Sequence, residues 1–132
     1  MQTINGGGSG QSFNGRINRI TYWLSAVLTG AVKAVFIFTG MKNSVLFDIV
    51  LIFICVLRLH DIGLSGWYVL IGVVVEALFF MIGLAAHASA VMNFAMLVIG
   101  GLMIWLGCVK SDPDFNKWGA VPEPGLGFSP PR

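Results

Sequence analysis

The chain has 132 residues, of which 56% are hydrophobic and only 11% are charged. Soluble domains carry about 25% charged residues, so this chain lacks the polar side chains that a water-facing surface needs. The excess of apolar surface predicts an integral membrane protein with one domain. The net charge of +2 is small and its cations are scattered, which argues against a nucleic-acid-binding protein.

Four apolar segments follow a start that is rich in Gly and Ser. Residues 1–12 are expected to be flexible. The apolar segments cover residues 18–40, 44–59, 66–85 and 90–109. Each is close to the roughly 20 residues that a helix needs to cross an apolar layer about 30 Å thick. Residues 13–110 are therefore predicted to form an all-α, polytopic membrane domain, an antiparallel bundle of four transmembrane helices.

Local features predict how these segments begin and end. Asn18 suits the N-cap of the first helix, and Tyr22 and Trp23 lie where an aromatic belt would meet the lipid headgroups. The second segment is short, but Arg58 can lengthen it by reaching the phosphates. Residues 111–132 are rich in Pro and Gly and are predicted to form a turn-rich cytoplasmic tail without regular structure.

The positive charges predict an orientation. With four spans, both termini and the loop between the second and third segments lie on one side of the membrane. That side carries Arg16, Arg19, Arg58, Lys110, Lys117 and Arg132, whereas the opposite side carries Lys42. Because cytoplasmic loops are enriched in Lys and Arg, we expect both termini to face the cytoplasm.

Three motifs fall on this predicted cytoplasmic side: FNGRINRITYW, RLHDIGLSGW and NKWGAVP. Together they resemble the bacterial inner-membrane family known as domain of unknown function 805. The matching residues are Phe13, Gly15, Arg16, Arg19, Tyr22, Trp23, Arg58, Leu59, His60, Asp61, Gly63, Ser65, Gly66, Trp67, Asn116, Trp118, Gly119 and Pro122. The resemblance covers residues 13–122 and implies a multi-pass protein of the bacterial inner membrane. It implies no particular activity.

The polar residues of these motifs form a candidate site for a headgroup or a protein partner. The members are Arg16, Arg19, Arg58, His60, Asp61 and Asn116. A functional interpretation is an anionic headgroup site, because guanidinium groups bind phosphate through two hydrogen bonds. A structural interpretation, which we favour, has Asp61 paired with an Arg and His60 bonded to a backbone carbonyl. In this interpretation Gly63, Ser65 and Gly66 form the turn into the third helix.

The sequence does not favour an enzyme. His60 and Asp61 would need a positioned nucleophile or a metal ion to act as a catalytic pair. Cys55 and Cys108 are best interpreted as small buried hydrophobic residues. We therefore expect no catalytic residue, no metal site and no cofactor.

Each apolar segment has one small or polar face, which we expect to point into the bundle because small residues let helices approach closely. In the first helix, Thr21, Ser25, Thr29 and Lys33 form a polar ladder beside Ala26, Gly30 and Ala34. The third helix has Gly72, Glu76 and Gly83, and the fourth has Asn93, Gly100 and Gly107.

Four polar residues within the spans form a candidate intramembrane cluster: Lys33, Asp48, Glu76 and Asn93. An unpaired charge at the centre of a bilayer costs roughly 3 kcal/mol or more, so Lys33 is predicted to pair with Asp48 or Glu76. The cluster indicates either an ion or proton pathway or, as we favour, a structural group that fixes helix packing.

Two functions follow as hypotheses. The first is a non-enzymatic inner-membrane module that binds membrane lipids or a protein partner through its cytoplasmic cluster. The second is a small transporter or channel that assembles as a homo-oligomer and uses Lys33, Asp48 and Glu76.

Overall fold

The computed structural model describes residues 15–40 and 45–129. Its helices are α1 (Arg19–Phe38), α2 (Val45–Asp61), α3 (Trp67–Ala85) and α4 (Ser89–Cys108), and its strands are β1 (Arg16–Ile17) and β2 (Phe128–Ser129). The predicted all-α class is confirmed, with each described helix end within two residues of its predicted position. The expected flexibility of residues 1–12 concerns residues outside the described ranges.

Three of the helices are long and apolar enough to cross a membrane. These are α1, α3 and α4, with mean hydropathies of 1.6, 2.4 and 2.0 over their most apolar stretches. Most of their large apolar side chains point away from the protein and are exposed. An apolar surface of this extent fits contact with lipid. The shorter α2 has 17 residues.

Local chemistry accounts for several helix boundaries. The Asn18 side chain accepts a hydrogen bond from the Thr21 backbone N–H at 2.9 Å, which confirms the predicted N-cap of α1. Gly63 follows α2 with φ of +82°, a left-handed conformation that glycine adopts without strain. At Gly66 a Cβ would lie 2.7 Å from Val56 Cγ1, so only glycine allows α3 to start this close to α2.

The helices pack as two antiparallel hairpins, α1 with α2 and α3 with α4. The buried core lies at the end where α1 and α3 begin and α2 and α4 end. It consists of Ile17, Tyr22, Ile54, Cys55, Leu57, Leu59 and Leu106. Away from this end, the two hairpins bury little surface against each other. The structure is therefore tight at one end and open at the other.

The predicted interior faces of α1 and α3 are largely the less exposed sides of these helices, but neighbouring helices pack tightly on only some of the glycines. Gly83 packs on Met92 and Gly107 packs on Trp23, each so closely that a Cβ would clash. A Cβ at Gly30, Gly72 or Gly100 would instead meet nothing within 4 Å, although Gly72 and Gly100 are partly buried; the prediction is wrong for Gly30, which is exposed. Small residues permit close packing but supply no attraction of their own, so the open hairpins leave Gly30 uncovered.

The C-terminal residues pack against the start of the chain. Ser129 and Phe128 in β2 pair antiparallel with Arg16 and Ile17 in β1. The Asn18 side chain donates to the carbonyl oxygens of Glu123 at 2.9 Å and Gly125 at 2.6 Å. The prediction of a tail without regular structure is therefore wrong at β2. The backbone of β1 supplies the hydrogen-bond partners that β2 could not find within the tail itself.

Candidate functional site

The motif residues gather where the two hairpins converge. We call this region the cap and define it as residues 15–18, 58–67 and 109–129. His60 and Asp61 follow the predicted segment 44–59, but in the structure they belong with Arg58 to the last turn of α2. α2 thus continues two residues beyond the predicted span 44–59, and its end is buried beneath the tail.

Two arginines share one carboxylate at the centre of the cap. Arg16 lies 3.2 Å from Asp61 Oδ1 and Arg58 bonds Asp61 Oδ2. All three side chains are fully buried, with 0% exposure. A buried carboxylate between two guanidinium groups is stable only when the remaining donors also find partners. The structure supplies those partners from the backbone.

The five N–H groups of the Arg16 guanidinium are all used. Besides Asp61 Oδ1, they reach the carbonyl oxygens of Asp61 at 3.3 Å, Asp112 at 2.7 Å, Asp114 at 2.8 Å and Gly119 at 3.2 Å. Three of these carbonyls belong to the tail. Arg16 therefore fastens residues 112–119 onto the end of α2.

Arg58 performs the equivalent role for the end of α4. Its guanidinium donates to the carbonyl oxygens of Leu106 at 3.2 Å and Val109 at 2.5 Å, and to the Ser111 hydroxyl at 3.0 Å. The last carbonyls of a helix have no partner within the helix. Arg58 satisfies them and thereby joins α2 to α4.

Tyr22 and Trp23 bind the same helix end. The Tyr22 hydroxyl donates to the Met103 carbonyl at 2.9 Å, and Trp23 Nε1 donates to the Gly107 carbonyl at 3.2 Å. Tyr22 is fully buried, so the prediction that it belongs to an aromatic belt at the headgroups is wrong. Its polar tip finds a carbonyl partner instead of the membrane interface.

His60 and Asn116 complete the attachment of the tail. Asn116 Nδ2 donates to the His60 carbonyl at 3.0 Å and its Oδ1 accepts from the Trp118 N–H at 2.9 Å. The His60 ring stacks on Trp118 with centroids 3.7 Å apart, and its Nδ1 contacts the Gly15 carbonyl at 3.3 Å. Burial lowers the pKa of His60 and the Lys117 ammonium lowers it further, while the Gly15 contact acts in the opposite direction. A neutral imidazole with its proton on Nδ1 fits this setting.

These contacts follow the structural interpretation of the motifs. Asp61 pairs with arginine, His60 contacts a carbonyl, and the glycines form the turn into α3. The guanidinium groups of Arg16 and Arg58 are buried and bond to groups within the protein, so they are not open to a headgroup. Arg19 differs from Arg16, since its side chain is exposed. The two residues differ because Arg16 lies in β1, before the helix begins at Arg19.

The intramembrane residues do not form one cluster. Lys33 on α1 pairs with Asp48 on α2, which confirms one of the two expected partners. Glu76 lies on α3 beside α4, away from this pair, and Asn93 is exposed on α4. The predicted group of four is therefore wrong for Glu76 and Asn93, because α3 packs mainly on α4 rather than between α1 and α2.

The Lys33–Asp48 pair gives a prediction for packing. Lys33→Leu should destabilise the protein by about 3 kcal/mol, because it leaves a carboxylate without a partner within the apolar region. Lys33→Leu combined with Asp48→Leu should recover most of this loss. The free energy of unfolding in lipid bicelles, measured by steric trapping, checks both variants. Equal stability of the single and double variants would contradict a coupled pair.

Backbone carbonyls are the partners that sequence reasoning missed. Arg16 and Arg58 bind seven of them between Ile17 and Gly119, and every residue carries one. The Arg and Asp motif residues signalled the cluster, but no residue type marks a carbonyl acceptor. Within residues 15–40 and 45–129, no three His, Cys, Asp or Glu side chains approach closely enough to share a metal ion.

Comparison with known proteins agrees with the motif residues. A family model described as "Protein of unknown function (DUF805)" matches residues 11–120. The curated proteins and the solved structures contain no match to the chain. The matched region includes α1 to α4 and the first part of the tail, together with all the charged residues of the buried cluster. The chain thus belongs to the DUF805 family.

Proposed function

We propose that this chain is a non-enzymatic, multi-pass protein of the bacterial inner membrane that binds anionic lipid headgroups at its cap. The observation that carries the proposal is the separation of the cations in and beside the cap into two groups. Arg16 and Arg58 are buried and bonded within the protein, whereas Arg19, Lys110 and Lys117 are exposed at the same end of the protein.

The hairpin geometry supports four spans. α1 begins at the cap and ends at the opposite end, while α3 begins at the cap again. If α1 and α3 both cross a membrane, the chain between them must cross the same membrane in the opposite direction, and this segment is α2. Its 17 residues correspond to about 26 Å at 1.5 Å per residue, and the exposed cations at the cap favour a cytoplasmic location of both termini.

The state of the polar side chains supports a non-enzymatic role. A general base or nucleophile needs a free atom that can reach a substrate. Both carboxylate oxygens of Asp61 already accept from arginines. The His60 ring stacks on Trp118 and contacts the Gly15 carbonyl. These groups hold the cap together.

The exposed cations support headgroup binding. Arg19 opens α1, Lys110 follows α4, and Lys117 lies in the tail with its ammonium 4.8 Å from the Trp118 ring centroid. A lipid phosphate at the membrane surface would lie at the level of the helix ends, where α1 begins and α4 stops. Cations at this level attract anionic lipids, with about 1 kcal/mol gained per Lys or Arg.

Lipid titration tests this proposal. We expect the protein in neutral detergent to bind phosphatidylglycerol in preference to phosphatidylcholine, as counted by native mass spectrometry. Replacing Arg19, Lys110 and Lys117 together with Gln should weaken phosphatidylglycerol binding by about 100-fold, or about fivefold per cation. The matched control, with Arg19→Lys, Lys110→Arg and Lys117→Arg, should retain binding.

Two outcomes would contradict the proposal. One is equal binding of both lipids by the unchanged protein. The other is unchanged phosphatidylglycerol binding by the Gln variant while its cap remains folded, as judged by resistance of the tail to chymotrypsin, which cuts after aromatic residues that the variant retains.

The transporter or channel hypothesis receives less support. It needs Lys33, Asp48 and Glu76 to line one route, and the structure joins only Lys33 and Asp48. Glu76 lies against α4 in a separate cleft. The lipid-binding module is therefore the function that the geometry favours.

A further inference from the structure

Two apolar side chains are exposed near the end of the tail, and we call them the apolar pair. Leu126 is 71% exposed and Phe128 is 55% exposed. They flank Gly127, which is buried. Single exposed apolar side chains are common on proteins, so the place of the apolar pair in the fold decides what covers it.

Hydrogen bonds hold this stretch of the tail beside the first turn of α1. The Thr21 hydroxyl donates to the Gly127 carbonyl at 3.2 Å and accepts from the Gly127 N–H at 3.0 Å. Phe128 pairs with Ile17 in the two-stranded sheet. Thr21 is the third residue of α1, so Gly127 lies at a level about 3 Å along the axis from the start of this helix.

Three tryptophans mark the membrane border at this end of the protein. Trp67 is the first residue of α3, Trp23 is the fifth residue of α1, and Trp105 lies three residues before the end of α4. All three are exposed, and each lies within about 6 Å of the end of its helix at the cap. Tryptophan is enriched where a bilayer meets water. These residues therefore place the border at the same level on all three helices that can cross a membrane.

We propose that Leu126 and Phe128 insert into the membrane interface and anchor the end of the tail to the lipid. The inference rests on the membrane location of the protein given under the proposed function, but not on headgroup binding by its exposed cations. The tail then has two attachments: the buried ion group holds its first part to α2, and the apolar pair holds its last part to the bilayer.

The level of the apolar pair selects lipid as its partner. The layer between the acyl core and the water is about 5–7 Å thick on each side of a bilayer. Gly127 lies at the level that the three tryptophans mark, so the side chains on either side of it fall within this layer. Apolar side chains of segments that lie on a membrane insert at this depth. A water-soluble protein would have to displace lipid from α1 to cover them.

Phe115 provides a matched comparison within the tail. It is also exposed, but its neighbour Asp114 binds Arg16 through its carbonyl, and its neighbour Asn116 donates to the His60 carbonyl. The last carbonyls of a helix point along its axis, away from the helix. This part of the tail is therefore fastened beyond the end of α2, and Phe115 should face water.

Spin labels on single cysteines test the inference in the full chain, reconstituted in vesicles of phosphatidylethanolamine and phosphatidylglycerol. Cys55 is buried and Cys108 is exposed, so the background carries Cys108→Ala. Labels at Leu126→Cys and Phe128→Cys should collide more often with oxygen, which concentrates in lipid, than with a water-soluble nickel complex. Electron paramagnetic resonance measures the ratio of the two collision rates.

Two further labels calibrate this ratio. Leu24→Cys reports the lipid-facing side of α1, and Asp114→Cys reports an exposed position of the cap. The ratio at Leu126 and Phe128 should be several times the ratio at Asp114. Vesicles of phosphatidylcholine should give the same result, because the insertion of apolar groups needs no anionic headgroup. This measurement therefore separates the anchor from the proposed headgroup binding.

A charge placed in the apolar pair tests the contribution of its side chains. Leu126→Asp should lower the ratio at a label on Phe128→Cys towards the value at Asp114, because a carboxylate opposes insertion. Phe115→Asp is the matched control, since it makes the same kind of change at an exposed apolar residue of the tail, and should leave the ratio unchanged.

Three outcomes would overturn the inference. Ratios at Leu126 and Phe128 equal to that at Asp114, with the Leu24 label in lipid, would exclude the anchor alone. Equal effects of Leu126→Asp and Phe115→Asp would exclude a specific role of the apolar pair. A Leu24 label in water would overturn the membrane location itself, and the proposed function with it.

Discussion

Asp61→Asn is expected to disrupt the cap and to reduce the free energy of unfolding by about 3–5 kcal/mol. The carboxylate compensates two fully buried guanidinium groups, Arg16 and Arg58. Asparagine has nearly the same shape but carries no charge, so both cations would remain buried without a counter-charge. Removal of one member of a buried ion group is among the most damaging single changes known for proteins.

Asp114→Asn is the matched control for this change. Asp114 belongs to the same cap and is exposed, and its backbone carbonyl, which the substitution preserves, is the group that binds Arg16. We expect a change of less than about 0.5 kcal/mol, as for most surface substitutions. Unfolding of both variants in lipid bicelles provides the comparison. Equal stability of the two variants would show that the Asp61 ion group contributes little.

Arg16→Lys is expected to release the tail, although the charge is conserved. The guanidinium of Arg16 binds the carbonyl oxygens of Asp112, Asp114 and Gly119 in addition to Asp61. An ammonium group has three donors at one point and cannot span these acceptors. We expect a loss of about 3 kcal/mol or more, since several buried carbonyls would lose a charged donor.

Limited proteolysis distinguishes this effect from general unfolding. Trypsin should cut after Lys117 much faster in the Arg16→Lys variant, while α1 to α4 retain their helical circular dichroism. Arg19→Lys is the control, because Arg19 is exposed three residues further along the chain. If both variants resisted trypsin to the same extent, the role of Arg16 in holding the tail would be wrong.

The buried ion group gives a physical meaning to the family motifs. Arg16 comes from the first motif, Arg58 and Asp61 from the second, and Gly119 from the third, and these residues meet in one hydrogen-bonded unit. The motifs thus describe how the ends of the chain are fastened to α2. The exposed cations around this unit are the ones that we propose to bind lipid headgroups.

The sequence determined the features that depend on near neighbours in the chain. Runs of apolar residues predicted four helices, because backbone groups in an apolar setting must bond within their own segment. Asn18 was predicted as the N-cap of α1 because the bond it accepts lies only three residues away. The three motifs likewise indicated the family, since their residues are read directly from the sequence.

The tertiary structure decided which polar residues are buried and which are free. Arg16 and Arg19 are the same residue type three positions apart, yet one is enclosed in the cap and the other is exposed. The difference arises because Arg16 lies in β1, before Asn18 starts the helix, and faces the carbonyl oxygens of the tail. Carbonyl acceptors occur at every residue, so the sequence contains no signal for the ones that Arg16 binds. The same holds for Lys33, Asp48 and Glu76, whose pairing depends on which helices lie side by side.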